Sequence, residues 1–525
     1  MTTPPQRTWA TVAVLGLALV LVLARLQTYH EPLERDITSA AVIGHELLAG
    51  RALYADMWDH KPPAIHVSHA LAILLVGYGP GAVYLLNVAA AITTLLGVYV
   101  AASAVGGIAA GLWGALFWTL VSGDVWLQAN QPNAEVFINA CVVWAFALLV
   151  RADGAPRVWR VLTIGGLFAL ASLYKPVAVA PAAFLGLAYL IAPWPGLSRR
   201  RALADVLMIA GVGAVAWLGT SAYFAARGHF TDFYQAVFAY NRYYTSHYML
   251  DDYTLTSQNL MDILVKSFLP DALFPGVLVL AAPLAVFTLA GGVRGAISSA
   301  RRPWLLLLGL AIGTHLAVAL PGQWRPHYYQ LWLPLLAVGA GWAVASATPS
   351  GSIPRWIPSA VASAVVILLL AQQVPLYLVP PEAWSRLKYG EEFVFEQKLG
   401  RELRVLLGPE ETLYEWGAEP GLYFESLHSP PSGAFYAFPL LEGPVAAPLT
   451  VRAVADLDRC SPTMFVMNRR FLLQGRLRHP VLDWAEPRYV EMAGNSDYGP
   501  FVLLVRRGSR LDVTAARSRN VTFQR

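Results

Sequence analysis

Apolar runs of about 18 residues or more, broken by short polar or Gly/Pro-rich gaps, recur along the first 374 residues. This is the pattern of helices that cross a lipid bilayer. The runs fall near 9–26, 82–101, 106–123, 133–150, 161–174, 177–193, 203–224, 269–290, 304–320, 329–347 and 357–374. One further apolar stretch, Ala64 to Tyr78, is short for a span and carries His66, Ser68 and His69. The loop charges decide how to read it. Arg151, Arg157 and Arg160 fill one loop, Arg199 to Arg201 the next, Arg294, Arg301 and Arg302 a third, and Arg355 marks a fourth. All four share a face with Arg7 only if Ala64 to Tyr78 does not cross. The stretch is therefore expected to lie at the interface. About eleven spanning helices follow, with the N-terminus in the cytoplasm and the C-terminus outside.

After Val374 the pattern changes. Charged residues become frequent, and Gly and Pro punctuate shorter apolar runs. Glu391 to Leu407 has helical spacing, while Thr412–Trp416, Thr463–Met467 and Phe501–Arg506 read as short buried strands. The expected organisation is a membrane module over 1–374, an extracytoplasmic soluble α/β domain over 375–508, and a basic, apolar-poor, disordered tail over 509–525.

Composition agrees with the membrane class: 56% of residues are hydrophobic, 14% are charged, and the mean hydropathy is +0.48. A net charge of +5 would suggest nucleic acid in a soluble protein. Here the basic residues sit in short loops between apolar runs, where they set topology, so no nucleic-acid partner is expected. Cys141 and Cys460 are far apart, with the first inside an apolar run, so no disulfide is expected. The run Trp9 to Leu26 reads as a retained anchor rather than a cleaved signal. No glycine loop of the nucleotide-binding type is present. The polar segments gather on the outer face, out of reach of cytosolic nucleotides.

The segment from Glu31 to Pro63 is unusually charged for a loop between apolar helices. It holds Glu34-Arg35-Asp36, then Asp56, then Asp59-His60-Lys61-Pro62-Pro63. Asp36, close after the first helix, can take a proton from a hydroxyl nucleophile; the bland reading is a solvated loop acid paired with Arg35. Lys61, stiffened by two prolines at the start of the interfacial helix, holds an ammonium at headgroup depth; the alternative is a lysine that only snorkels. Glu135 opens a spanning helix, where the helix dipole alone favours an acid. Lys175 interrupts an apolar tract before Pro176 and must face a polar cavity, a partner or the interface. Arg325, His327 and Tyr328 form a short outer loop that can cradle a phosphate or cap an aromatic belt. Tyr240, Tyr243, Tyr244 and Tyr248 read as an interfacial girdle, with sugar stacking as the sharper alternative. Taken together, cations and acids from distant loops meet one face, which suits cleavage of a sugar–phosphate bond at a membrane surface.

Glu34-Arg35-Asp36, Leu48 to Asp56 and Asp59 to Pro63 together resemble the first outer loop of GT-C glycosyltransferases. The likeness is closest to bacterial members related to protein O-mannosyltransferases and the lipid A aminoarabinose transferase (family 39-like). It extends to Asn133-Ala134-Glu135, Leu173 to Pro176, His327 to Tyr329, and Leu413 to Gly417 with Gly421 to Phe424. The resemblance implies an inverting transferase of the bacterial inner membrane that uses a polyprenyl-phosphate sugar and an acceptor hydroxyl on a protein, lipid or envelope glycan. It implies catalytic roles for Asp36, Glu135 and Glu34, and lipid-phosphate or substrate binding by Lys61, Lys175, Arg325, His327, Tyr328, Asp59 and His60. Metal dependence is left open, a divalent ion included. Relatives carry Asp-Glu where this chain has Asp36-Ile37, which leaves Glu34 and Glu135 as candidates for the second acid.

Two other classes compete. A lipid-linked-sugar transporter or flippase would show an internal repeat and charges at mid-depth in broken helices. A non-catalytic envelope assembly protein is made conceivable by Ile37, against which stand intact Asp36, Lys61 and Lys175.

Overall fold

The computed structural model of the protein describes residues 4–151, 157–250, 276–297, 301–323, 325–347, 354, 356–469, 478–492 and 498–512. Arg355, the outer stretch from 251, the first residues of the run expected at 269–290, and the tail from 513 lie outside them. The chain forms two compact units, each assembled from separated stretches. One is Met1–Tyr29, Tyr84–Ser221 and Thr245–Val379; the other is His30–Val83, Ala222–Tyr244 and Pro380–Arg525.

The first unit is built of apolar helices. Where its residues are described, the expected runs are helical, from Pro4–Ala24 through Ala134–Val150, Val158–Tyr174 and Arg301–Ala319 to Trp356–Gln373. The runs expected at 82–101 and 106–123 join into one element, Pro80–Val121, broken at Gly107, whose φ of 77° is left-handed. At 1.5 Å per residue an unbroken helix of this length would reach roughly 60 Å, twice a bilayer's hydrocarbon core, so a break is needed. Six helices among the described residues are long and apolar enough to cross a membrane: Thr8–His30, Pro80–Val121, Arg199–Ala226, Arg301–Ala319, Pro326–Ala347 and Trp356–Leu378. Ala134–Val150, Val158–Tyr174 and Pro176–Ile191 are shorter, as is Ala64–Val76 of the other unit. Outward residues such as Trp9, Leu15 and Leu19 are apolar and exposed, as a lipid-facing surface requires. Helices close in where side chains are small: a Cβ on Gly341 would stand 2.4 Å from the Gly114 nitrogen.

Polar groups inside this unit fasten loops to helix ends. The buried Arg25 guanidinium donates to Asn87 Oδ1 and to the Ser122 carbonyl, each at 3.0 Å. Asn87 Nδ2 in turn donates to the Asn130 carbonyl at 2.7 Å, which also accepts from Thr28 Oγ1 at 2.9 Å. The loop ahead of Glu135 is thereby held by two helices.

The second unit holds a four-stranded sheet: β1 (Leu413–Trp416), β2 (Met464–Asn468), β3 (Tyr489–Glu491) and β4 (Phe501–Arg506), in the order β1-β2-β4-β3. β1 and β2 run parallel and are joined through helices, including Ala446–Cys460; the other pairings are antiparallel. Every residue of β1 and β2 is buried, the polar Glu415 and Asn468 included, as strands covered on both faces require. Leu511 is buried and the Gly508 N–H meets Asp512 at 2.7 Å, so the packed part reaches Asp512.

In the same unit, Arg35–Leu48 is a helix with one apolar face, Ile37, Ala40, Ala41, Ile43 and Gly44. It crosses Ala64–Val76 at Gly44, where an added Cβ would stand 2.8 Å from the Ala70 nitrogen and 2.9 Å from His69 Cβ. That close approach sets the start of the first helix beside the start of the second, and so Asp36 beside Lys61.

Candidate active site

Each end of the charged loop is pinned within the second unit. Ahead of Asp36, Glu31 forms a 2.5 Å ion pair with Lys388, with both side chains at most 1% exposed. Arg35 reaches Glu392 at 2.5 Å. Beyond the helix, Arg51 donates to the Pro430 carbonyl at 2.9 Å, Arg452 donates to the Ala55 carbonyl, and the Trp58 N–H meets the Gly433 carbonyl at 3.1 Å. Tyr54 takes a left-handed φ of 68°, uncommon for a bulky residue, and donates its hydroxyl to the Lys61 carbonyl at 2.8 Å. Asn241 Nδ2 donates to the His60 carbonyl at 2.7 Å. Pro62 and Pro63 then lead into the Ala64–Val76 helix.

These constraints bring Lys61 Nζ to 3.0 Å from Asp36 Oδ1 and 3.8 Å from Asp59 Oδ2. Asp36 is 36% exposed on its side chain and Asp59 only 1%. One carboxylate thus opens outward while the other is sealed. Burial alone would lower the Lys61 pKa, but the charges of Asp36 and Asp59 hold it above the usual lysine range. Burial alone would raise Asp59; the charge of Lys61, followed by the neighbouring His60 and His66 rings, keeps it well below the usual carboxylate range. Lys61 and Asp59 therefore stay ionised together at neutral pH.

Glu34 stands at the N-cap of the Arg35–Leu48 helix and is 6% exposed. Burial, reinforced by the charge of Asp36, pushes its carboxyl up to about 8. The folded chain favours the protonated acid, so the associated stability is complete below about 4.5 and is lost as pH rises through about 8. Glu34→Gln should flatten the fall in melting temperature of detergent-purified protein between pH 5 and 9. Parallel curves for the variant and the wild type would contradict this assignment.

A second acid–cation group lies in the first unit. The Val158–Tyr174 helix stops before Pro176, leaving Lys175 extended (φ −156°, ψ 126°). Its Nζ sits 2.8 Å from Glu135 Oε1 and 3.5 Å from the centre of the Tyr328 ring. His327 Nδ1 lies 3.0 Å from Gln128 Oε1. Arg325 is exposed, and its Nε donates to Gln323 Oε1 at 3.2 Å.

The ten expected site residues thus fall into two groups. Glu34, Asp36, Asp59, His60 and Lys61 are together in one unit, and Glu135, Lys175, His327, Tyr328 and Arg325 in the other, with Arg325 at the edge of its group. Tyr240 and Tyr244, read as a girdle, each place their rings 5.7 Å from His60, and Trp58 meets Tyr240 at 4.9 Å. Spacing had not pointed to Lys388, Glu392 or His66. The first two lie some 350 residues from their partners, and His66 reads as one of three polar residues on an apolar helix. Among the described residues no group of three or more His, Cys, Asp or Glu side chains is arranged to hold a metal ion.

No protein-family model matches the chain, and no curated protein matches it. Solved structures do. ArnT from Cupriavidus metallidurans bound to undecaprenyl phosphate aligns with a TM-score of 0.60 and 18% identity over 95% of this chain and 98% of that one. The same enzyme in its apo state gives 0.59. The archaeal oligosaccharyltransferase AglB from Archaeoglobus fulgidus, in complex with an inhibitory peptide and a dolichol-phosphate, aligns at 0.54 with 14% identity, over 97% of this chain and 75% of that one. These neighbours are GT-C fold enzymes. With six helices of membrane-crossing length among its described residues and this likeness along nearly its whole length, the chain is an integral membrane protein with the GT-C fold.

Proposed function

We propose that the chain is an inverting glycosyltransferase that moves a sugar from a polyprenyl-phosphate donor to an extracytoplasmic acceptor hydroxyl on a protein, lipid or envelope glycan. The observation that carries this reading is the Asp36–Lys61 pair, half open on the Asp36 side and backed by sealed Asp59. Support comes from the fold shared with structures that hold undecaprenyl phosphate and dolichol-phosphate.

In the proposed reaction the acceptor oxygen attacks the anomeric carbon from the face opposite the phosphate. The acceptor proton passes to Asp36, the bond between the anomeric carbon and the phosphate oxygen breaks, and polyprenyl phosphate leaves with the electron pair. Lys61 meets the negative charge that gathers on the leaving phosphate. Glu34 is proposed as a further acid of the reaction, and Glu135 as the acid of the first unit's own group with Lys175. Asp59 and His60 are assigned to donor binding beside Lys61; within the first unit, Lys175, Arg325, His327 and Tyr328 are proposed as a phosphate-binding group of their own. A flippase would need the donor to cross the bilayer intact, and the ion pairs described give that reading no specific support.

The reading places the protein in a bacterial inner membrane, with the Arg-bearing loops inside and the C-terminal domain outside. Cysteines at the exposed positions Ser198 and Glu410, in a background lacking Cys141 and Cys460, test this. A membrane-impermeant thiol reagent added to intact cells should label position 410 and leave 198 untouched. The reverse pattern would overturn the orientation and the outward-facing site with it. Equilibrium binding tests the donor class: purified protein should prefer undecaprenyl phosphate to undecaprenol, and equal affinity for the two would contradict the reading.

A further inference from the structure

We propose that the sheet-bearing C-terminal part of the chain supplies a wall of this site: Tyr436, with Tyr244 and His60, forms a subsite that stacks on the ring of the donor's sugar. The inference rests on the functional reading above and gives the sugar of that reading a place. All three rings belong to the second unit and stand at the Lys61 end of the charged loop. His60 precedes Lys61, and its ring lies 5.7 Å from Tyr240 and 5.7 Å from Tyr244. Tyr436 donates its hydroxyl to Asp59 Oδ1 at 3.4 Å, so a single carboxylate separates it from the Lys61 ammonium. Burial and the charge of Asp59 push that hydroxyl well above the usual tyrosine range, so it remains a donor at neutral pH. Behind the three rings, Trp58 meets Tyr240 edge-on at 4.9 Å and Tyr436 at 6.2 Å. Trp58 and Tyr240 are only 3% and 7% exposed, whereas His60, Tyr244 and Tyr436 are half-buried. The cluster has a sealed back and a partly open front.

The rings of this front are held in place by the segments that carry them. The loop over 432–438 is tied to the sheet: the Tyr414 hydroxyl of β1 donates to the Ala434 carbonyl at 2.9 Å, and the Ala437 N–H meets the Gly417 carbonyl at 2.6 Å. Between these anchors Phe435 is 0% exposed and lies edge-on to Tyr436 at 5.2 Å. The segment of Tyr240 and Tyr244 is fixed by Asn241, whose Nδ2 donates to the His60 carbonyl at 2.7 Å. It also packs on the backbone at Gly443, whose φ is a left-handed 97° and where an added Cβ would stand 3.0 Å from Tyr243 Cδ1. Rings ordered in advance lose little freedom when a ligand arrives. A sugar ring has C–H faces that suit the negative face of an aromatic ring, and hydroxyls at its rim that suit tyrosine hydroxyls and carboxylates. The sugar is bonded directly to the phosphate. With that phosphate on Lys61, the sugar falls within one ring's width of the ammonium, where Asp36 opens and these aromatic rings stand. The occupant is therefore the donor's sugar, and the rings hold its anomeric carbon near Asp36.

Binding to the full-length protein in lipid nanodiscs, with no acceptor present, tests the subsite. The probes are undecaprenol, undecaprenyl phosphate, and undecaprenyl phosphate carrying glucose, mannose, galactose or arabinose. Wild type should bind at least one of the sugar-bearing lipids about tenfold more tightly than undecaprenyl phosphate. Tyr244→Leu and Tyr436→Leu should each cut that preference about fivefold, the loss expected for one aromatic contact, and leave undecaprenyl phosphate within about twofold of wild type. Tyr244→Phe and Tyr436→Phe keep the ring and should restore most of the preference. If Tyr436→Leu does not fold, the Leu and Phe variants of Tyr244 carry the test. A wild type that prefers none of the sugar-bearing lipids would overturn the proposal. So would Leu variants that keep the full preference, or that lose both lipids in parallel as a purely structural role requires. Phe variants no better than Leu would overturn it as well. A wild type that does not distinguish undecaprenyl phosphate from undecaprenol would instead contradict the donor reading itself.

Discussion

Asp36→Asn should lower sugar transfer by about a thousandfold, the middle of the range that a positioned general base contributes, while leaving affinity for undecaprenyl phosphate within a few-fold of wild type. Asparagine keeps the size of the side chain and an oxygen that can accept from Lys61, so the loop geometry described above should persist. What it loses is the ability to take the acceptor's proton. Single-turnover transfer with purified variant and wild type, each saturated with donor, separates the chemical step from binding. A variant that turns over near the wild-type rate would remove Asp36 from the role of base. Strong loss of donor binding with an unchanged chemical step would recast Asp36 as a binding group.

The second large effect concerns Lys61. Lys61→Ala should weaken undecaprenyl phosphate binding by roughly 10- to 100-fold, the loss expected for a charge-assisted hydrogen bond to phosphate. Part of the effect would come from leaving Asp59, 1% exposed, facing the phosphate with no cation between them. Lys61→Arg keeps the charge but spreads it over a planar fork, and should recover only part of the affinity. Titration of undecaprenyl phosphate into the three proteins decides the matter. Unchanged affinity in Lys61→Ala would remove the lysine from phosphate recognition.

How much of this could be read in the sequence follows from the range over which each feature is encoded. Helices of the membrane module announce themselves through runs of a dozen or more apolar residues, and where described they fall where expected. The sheet strands Leu413–Trp416, Met464–Asn468 and Phe501–Arg506 were legible because they are buried on both faces and read as short, mostly apolar runs, with Glu415 the charged exception within the first. Tyr489–Glu491 was not: it is three residues long and mostly half-buried, too short for periodicity to register. Nor did the charged loop reveal that Arg35–Leu48 is a helix, since its polar residues drew attention away from the apolar face at Ile37, Ala40, Ala41 and Gly44.

The site shows the same limit. Types and neighbours of Asp36, Lys61 and Lys175 singled them out, because ions beside apolar helices are costly and need a reason. Their partners were not legible: the Asp36–Lys61 contact depends on the crossing at Gly44, and the Lys175–Glu135 contact on where the chain turns at Pro176.

The most direct test of the central claim follows the fate of the sugar. Wild-type protein in liposomes is supplied with a polyprenyl-phosphate donor labelled in its sugar, with and without a bacterial envelope fraction as acceptor, and label is counted in the lipid and non-lipid phases. The account predicts that label leaves the lipid phase only when acceptor is present, that polyprenyl phosphate is released in equal amount, and that the Asp36→Asn protein does neither. Label that stays on the lipid yet moves across the bilayer without acceptor would contradict it and identify a transporter.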